Sequence, residues 1–444
     1  MKRSTISGVS RAAATTGLLP ILAILLAAPA GSTTIHVPGE QRSIAAGIAA
    51  AGPGDTVLVA CGTYAEHDLL IDKAVCVRSA TGAPDCVTID AGRLGRGLHF
   101  AAGSDDARLE GVTVTGGLAV GSGFDSEGGG IYCRDASPRI ADCLITVNEA
   151  EAAGSGICCR SASPEIVRCD LVDNLQTIDG GGIYCTHSSP TLDHCTFLAN
   201  EALFWGGAIF CTFSSPSISH CTLARNAAHW GGGFWCVAEC FPLIENSIIA
   251  SSAEGEGIYV YDNPSVPSAP SVVCCDVHGN AGGEYGGAIE DQTGLHGNIS
   301  GPPLFCDLEA GDLHLAAVSP CLPEHNDCGV QMGARGRGCD WPTAMMPAPA
   351  PVTMLHTWSS PNPFNPSTTV FFTLPRAMPV ALRIYDAQGR VVRRLLGGEP
   401  RAAGRAHIAW DGRDDGGERV ASGAYFYRLE AGDRVRTRKL TMVR

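Results

Sequence analysis

GGGIYCRDASPRIADCLITVNEA (128–150), GSGICCRSASPEIVRCDLVDNLQ (154–176), GGGIYCTHSSPTLDHCTFLANEA (180–202) and GGAIFCTFSSPSISHCTLARNAA (206–228) are four copies of one unit. GGGFWCVAECFPLIENSIIASSA (231–253) is a degenerate fifth. Cys133, Cys159, Cys185, Cys211 and Cys236 form one column, with steps of 26, 26, 26 and 25 residues. Cys143, Cys169, Cys195 and Cys221 form a second. Pro138, Pro164, Pro190, Pro216 and Pro242 keep the same beat, as do Asn148, Asn174, Asn200 and Asn226.

Each unit carries two short apolar alternations, Ile131-Tyr132-Cys133 and Cys143-Leu144-Ile145 in the first copy. Alternation over so few residues means short strands with one face inward. Glycine runs and Ser-Pro pairs supply the turns between them. A unit of this size without helices cannot bury its own apolar face and must stack on its neighbours. Leucine-rich repeats need a dense leucine scaffold, which is missing. Propeller blades need about 40 residues and four strands. A parallel β-helix remains, in which each turn rises by about 4.8 Å and like residues pile into ladders. The expected class is therefore all-β: a single-stranded, right-handed parallel β-helix followed by a small β-sandwich.

The repeat resembles the pectin-lyase-like family of right-handed β-helices, and the resemblance extends over residues 35–340. Ser43–Ala51 is similar to the short helix that plugs the N-terminal end in that family, and 54–79 and 109–117 to early turns. Residues 303–334 resemble the closing segment of secreted bacterial members. The resemblance implies the fold; the fold itself hosts many activities.

The ends suggest export. Lys2, Arg3 and Arg11 precede an apolar stretch, Gly17–Ala28, and Ala28-Pro29-Ala30 offers small residues at a cleavage point. Residues 1–30 therefore read as a secretory signal, with Gly31 as the mature N-terminus. All 20 cysteines lie beyond it, which suits an oxidising compartment. Residues 31–341 form the expected β-helix and 342–356 (PTAMMPAPAPVTMLH) a Pro/Ala-rich linker. Residues 357–444 alternate in strands with Asp-Gly-type turns, as a small sandwich does. They resemble the Ig-like domain of flagellar hook-capping proteins and the C-terminal sorting domains of type IX secretion cargo. The matching motifs are Asn362-Pro363-Phe364-Asn365-Pro366, Ile384-Tyr385-Asp386, Trp410-Asp411-Gly412 and Ser422-Gly423-Ala424-Tyr425. That likeness implies delivery to the cell surface or beyond, with the secretion machinery as a partner of this domain.

Residues 31–356 hold 13 basic and 37 acidic residues, while 357–444 hold 15 and 8. An acidic body excludes a nucleic-acid partner, which needs a basic face. No later segment is long and apolar enough to span a bilayer, and a monomer is expected.

Residues for catalysis are sparse. A lyase on this fold needs stacked carboxylates for Ca²⁺ and a cationic base; Arg134 above Arg160, with Asp135 beside them, comes nearest. A glycoside hydrolase needs paired carboxylates. Asp105-Asp106 is the acidic doublet of the repeats' upstream region and sits in a turn. His194 and His220 should stack on neighbouring rungs beside Asp193, yet the same column continues as Asp142, Arg168 and Asn246, like a polar surface ladder. Asp411–Gly416 reads as a tight turn and not a Ca²⁺ loop. No cofactor and no metal is expected.

The aromatics are more suggestive. With Ile and Cys inward, the residue between them points outward. That column runs Tyr132, Cys158, Tyr184, Phe210, Trp235, Tyr259, and Trp205 and Trp230 stand beside it. A row of flat apolar faces would suit neutral sugars, given few Lys or Arg nearby; mutual stacking that stiffens the sheet is the competing reading. The ladder cysteines are expected to be mostly reduced, with bridges among Cys306, Cys321, Cys328 and Cys339. Together these features point to an exported, non-catalytic surface or extracellular protein that binds a neutral glycan or surface partner. A polysaccharide lyase or glycoside hydrolase is the alternative, and a structural spacer the third reading.

Overall fold

The computed structural model describes residues 32–340 except Asp262, and residues 356–443 except 361–363, 375, 376, 402, 403 and 433. Residues 1–30, read as a secretory signal, and all of the expected linker but His356 lie outside the described residues. The chain divides into two compact units between Cys339 and Asp340. No described helix is long and apolar enough to cross a membrane.

The first unit is a parallel β-solenoid of three long sheets, with nine, ten and nine strands. One turn contributes Ile131–Arg134 to the first sheet, Arg139–Ala141 to the second and Leu144–Thr146 to the third. The 26-residue beat is the register: Ile131 pairs with Ile157, Ile183 and Ile209 in succession, and Cys133 with Cys159, Cys185 and Cys211. Inward columns fill a single continuous core, including Ile140, Ile166, Leu192 and Ile218 from the second sheet and Ile145, Leu171, Phe197 and Leu223 from the third. Corners between strands need left-handed backbone, and the chain places it at fixed beats, as at Asp142, Arg168, His194, His220 and Asn246. At Gly180 the requirement is strict: φ is 65°, and a Cβ there would meet the Ile183 carbonyl at 2.6 Å.

Inside the corner after the third sheet runs a fully buried asparagine ladder. The amides of Asn148, Asn174 and Asn200 each donate to the next asparagine's Oδ1 and to a backbone carbonyl of the turn before, and Asn226 donates to the Phe197 carbonyl. Self-pairing satisfies groups that burial would otherwise penalise. On the surface, Ser137, Ser163, Ser189 and Ser215 each accept a backbone N–H from the following turn.

The N-terminal end is capped by the expected helix, Ile44–Ala50, with Ser43 as N-cap accepting from Ala46 N at 3.1 Å. The Glu66 carboxylate takes two more free N–H groups, of Ile44 and Ala45, both at 2.8 Å. The closing segment lays Phe305, Leu313, Leu315, Leu322 and Met332 against Ala224, Ile248 and Ala250 on the outer face of the third sheet.

The eight ladder cysteines are free and buried. Cys306 pairs with Cys339 as the closing-segment reading allows, but Cys328 pairs with Cys274, and Cys321 is free. Cys321 faces Asp276 Oδ2 at 3.2 Å. Cys61 and Cys86, on adjacent turns, form a further bridge that parallel side chains were not expected to make. They precede strands Gly62–Tyr64 and Val87–Asp90, outside the regular ladder. Denaturation without reductant should expose fourteen thiols per chain to a thiol reagent. Fewer than about four would contradict the reduced ladders.

The second unit is antiparallel. A three-stranded sheet (His356–Ser360, Thr368–Leu374, Gly404–Trp410) and a four-stranded one (Met378–Asp386, Val391–Arg401, Gly423–Ala431, Arg434–Met442) enclose their own core. Trp410 lies at its centre, fully buried against Phe364 and Tyr425, with Nε1 donating to the Arg413 carbonyl at 2.8 Å. Arg413 to Glu418 form a turn in which Asp414 Oδ1 accepts the Glu418 N–H at 2.9 Å.

Candidate functional site on the outer face of the first sheet

Tyr132, Cys158, Tyr184, Phe210, Trp235 and Tyr259 occupy one register column, and none belongs to the solenoid core. Their outward direction follows from the alternation. Exposure of their faces does not. Tyr184 and Phe210 stack at 4.8 Å and 6°, and Phe210 and Trp235 at 4.7 Å and 15°. Rung spacing and ring-stacking distance nearly coincide, so in-register rings lie on one another and turn only edges outward. Trp205 packs on Trp235 at 5.7 Å and on Trp230 at 6.4 Å. Phe210 and Trp235 are therefore 5% and 4% exposed. Tyr184, Trp205, Trp230 and Tyr259 are half-buried. The platform of free ring faces is corrected to a self-stacked ladder. Phe210→Ala, with a ring lost on both sides, should lower stability by about 3–5 kcal/mol in urea unfolding. A loss below about 1 kcal/mol would mean the rings do not support each other.

Tyr132 is covered differently. The turn Gly123–Ser126 folds over its end of the sheet, and Phe124 lies against two guanidinium groups, of Arg134 at 4.2 Å and Arg160 at 5.0 Å. Arg96 sits 4.9 Å over the Tyr132 ring and donates from Nε to the Glu127 carbonyl at 2.7 Å. Three arginines thus stand where the sequence suggested few cations. Arg160 is held by Glu127 through two bonds, 3.0 and 2.6 Å. Burial opposes its charge, but the bonds and charge of Glu127 outweigh that and push the guanidinium further up. A group so held is a poor base for a lyase, whereas Arg134 is partly exposed and meets Asp135 only at 3.5 Å. Asp105 likewise is spent on a turn, accepting Ser137 N at 2.9 Å.

A second column runs beside the first, at the residue preceding each glycine run. It reads Glu127, Ala153, Asp179, Trp205, Trp230, joined by successive parallel bridges. Ala153 and Cys158 therefore share one rung between Glu127 with Tyr132 on one side and Asp179 with Tyr184 on the other. The two small side chains are covered, because the Glu127 carboxylate turns over them with Oε2 3.8 Å from Cys158 Sγ, and Cys158, Ala153 and Glu127 are all buried. The Cα atoms of Glu127 and Asp179 stand two rungs, about 9.6 Å, apart. Burial pushes the Asp179 carboxyl up to about 7. Its Oδ1 is buried without a hydrogen-bond partner, and so are His99 Nε2, Tyr132 Oη and Trp235 Nε1 on the same face. The Cys158 thiol, pushed well up by burial and then by Glu127, is not a nucleophile. Neither Glu127 nor Asp179 emerges from the two-strand repeat pattern, because both sit in the connection between units.

No curated protein sequence matches the chain. Among solved structures, the bacteriophage CBA120 tailspike protein 4 enzymatically active domain aligns over 80% of this chain and 62% of its own, at 13% identity and a TM-score of 0.26. PorZ, described as a bacterial surface component of the type-IX secretion system of Porphyromonas gingivalis, aligns over 20% of this chain and 11% of its own, at 19% identity and a TM-score of 0.15. The chain thus spans less than two thirds of either structure. The described strands themselves define the first unit as a parallel β-solenoid, and residues 364–434 match the family model of the FlgD Ig-like domain, which the second unit therefore contains.

Proposed function

We propose that this is an exported binding protein whose first sheet holds a neutral, polyhydroxylated ligand of the glycan type against Asp179, Tyr184 and Trp205. The observation that carries the reading is Asp179: a carboxyl near half-protonation at neutral pH, with an unpartnered oxygen, beside the half-buried Tyr184 and Trp205. Such a group both donates to and accepts from hydroxyls. Buried polar atoms are nearly always paired, so the unpartnered Asp179 Oδ1 supports a reading in which a ligand hydroxyl or a water completes it. Asp179 disfavours uronic sugars, and Arg160 is already neutralised by Glu127. Trp205 and Trp230 extend the face with apolar edges. Residues 1–30 and the FlgD-type domain support export, in which that domain serves delivery or anchoring through the secretion machinery. The likeness to type IX sorting domains belongs to the same proposal.

A glycan array with the mature protein should give binding to neutral oligosaccharides. Asp179→Ala should weaken it about tenfold, as loss of a hydrogen-bonded anchor does. No binding to any neutral glycan would sink the reading.

A second reading has its own support. One carboxyl raised toward neutral pH by burial, two rungs from another held by an arginine, resembles the division of labour in inverting glycoside hydrolysis. Reducing-sugar release from a polysaccharide panel tests it. Asp179→Asn should abolish hydrolysis while leaving binding in place, since the amide retains a donor and an acceptor. Absence of product from every substrate would leave binding alone.

A further inference from the structure

At the corner between the second and third sheets, the corresponding positions of successive turns carry Asp142, Arg168, His194, His220 and Asn246, all in left-handed backbone with φ from 49° to 55°. Glycine and asparagine adopt this conformation most easily, and Asn246 is the choice one turn later. Histidine too is enriched in this conformation, as at His187 and His296, so the corner alone does not single the pair out; the placement of the two rings does. The two imidazoles stack at 4.7 Å and 9°, so both present corresponding edges to one neighbour. That neighbour is Asp193, whose Oδ1 lies 2.9 Å from His194 Nδ1 and 3.8 Å from His220 Nδ1. Ser219 Oγ donates to the same oxygen at 2.8 Å and fixes the carboxylate in place.

We propose that Asp193, His194 and His220 form a binding site for a divalent transition-metal ion of the zinc class. The three donor atoms all lie within 4.8 Å of one another, and they are the one such trio of metal-binding side chains among the described residues. Ligands about 2.0–2.1 Å from a tetrahedral ion stand about 3.3 Å from each other. The two measured separations to Asp193 bracket that value. All three side chains are partly exposed (36%, 43% and 31%), so the residual adjustment is a rotation of surface rings, with no repacking of the core. Imidazole nitrogen selects zinc, nickel, cobalt or copper over Ca²⁺ and Mg²⁺, which take oxygen.

The polar-ladder reading rested on the column's continuation through Asp142, Arg168 and Asn246, of which Arg168 carries the charge that would compete for Asp193. Arg168 turns the other way: Nε and Nη2 each donate to Asp142 at 2.7 Å. On the opposite side, Glu245 follows Ser219 in register and brings another carboxylate to the corner. The other histidine–carboxylate pairs, His67–Asp68, His229–Glu254 and His314–Asp312, offer one imidazole each and serve as internal controls.

The test titrates Co²⁺ into the full mature protein after chelator treatment, followed by its visible ligand-field bands and by calorimetry. One ion per chain is expected. His194→Ala and His220→Ala should each weaken uptake at least tenfold, while His229→Ala leaves it unchanged. Cu²⁺ bound at the same site should show hyperfine coupling to two nitrogens. Because these side chains are superficial, circular dichroism and the unfolding midpoint of the apo variants should match wild type. Uptake unaffected by both histidine substitutions overturns the proposal. So does the absence of stoichiometric uptake, and so does a thiolate-to-cobalt charge-transfer band, which would place the ion on cysteine.

Discussion

Asn174→Asp is expected to cost the solenoid about 3–5 kcal/mol, enough to unfold most proteins of ordinary stability. Asn174 is fully buried and donates through Nδ2 to the Ile145 carbonyl and to Asn200 Oδ1, both at 2.9 Å. It accepts at its own Oδ1 from the Asn148 backbone N–H at 3.2 Å and from Asn148 Nδ2 at 3.0 Å. A carboxylate keeps the acceptor and loses both donations. It then faces the Ile145 carbonyl and Asn200 Oδ1 with oxygen against oxygen, and it places a charge where no cation stands. Because every turn rests only on its neighbours, the damage propagates to turns on both sides. Urea unfolding followed by circular dichroism measures the effect, with Ser163→Ala on the exposed serine ladder as the comparison. A change under about 1 kcal/mol would mean the ladder is not a structural spine.

The second large effect is a pH dependence. Asp276 is fully buried, and burial pushes its carboxyl up to about 7, against the opposing bonds from Gly301 N at 3.0 Å and the Cys321 thiol at 3.2 Å. Its folded value lies above the unfolded one, so the folded state holds a proton that the unfolded chain has already released. The stability this gives is complete below the unfolded value, about 3.8, and is lost as pH rises toward about 7. Between pH 4.5 and 7.5 wild type should lose about 3 kcal/mol through this one group. Asp276→Asn removes the titration. It should match wild type near pH 4.5 and exceed it near pH 7.5. Urea midpoints of both proteins at the two pH values decide the matter, since all other titrating groups cancel in the comparison. Parallel behaviour of the two proteins would show that Asp276 is not protonated in the fold.

The two effects illustrate what the sequence carries. The Asn column is legible in the 26-residue beat alone, and so are the Ile and Cys columns, because in a parallel solenoid the repeat length is the strand register. The N-terminal helix was expected from the family resemblance of Ser43–Ala51, and Ile44–Ala50 forms it. Asp276 was not, because it lies beyond the regular units and its burial depends on the closing segment around Cys321.

At the candidate site the pattern gave directions and missed contacts. Alternation correctly turned Tyr132, Phe210 and Trp235 away from the core. It could not show that rings spaced by one rung cover each other, which depends on the match between strand spacing and stacking distance. Glu127 and Asp179 had a signal: the residue before each glycine run reads Glu, Ala, Asp, Trp, Trp down the turns. Reading the connections in register, and not only the strands, reveals two carboxyl groups around a small residue. The cysteine pairing depends on contacts between distant segments, as between Cys274 and Cys328, and no local spacing encodes it.

The binding proposal rests most heavily on Asp179 and its half-buried neighbours Tyr184 and Trp205. The measurement that tests it is calorimetric titration of the best neutral oligosaccharide against wild type, Asp179→Ala and Tyr184→Phe, with His229→Ala as a remote control. The account predicts that the first two variants weaken binding several-fold or more while retaining the wild-type unfolding midpoint, and that His229→Ala binds as wild type does. Equal affinity across all four proteins would place the ligand elsewhere and contradict the assignment.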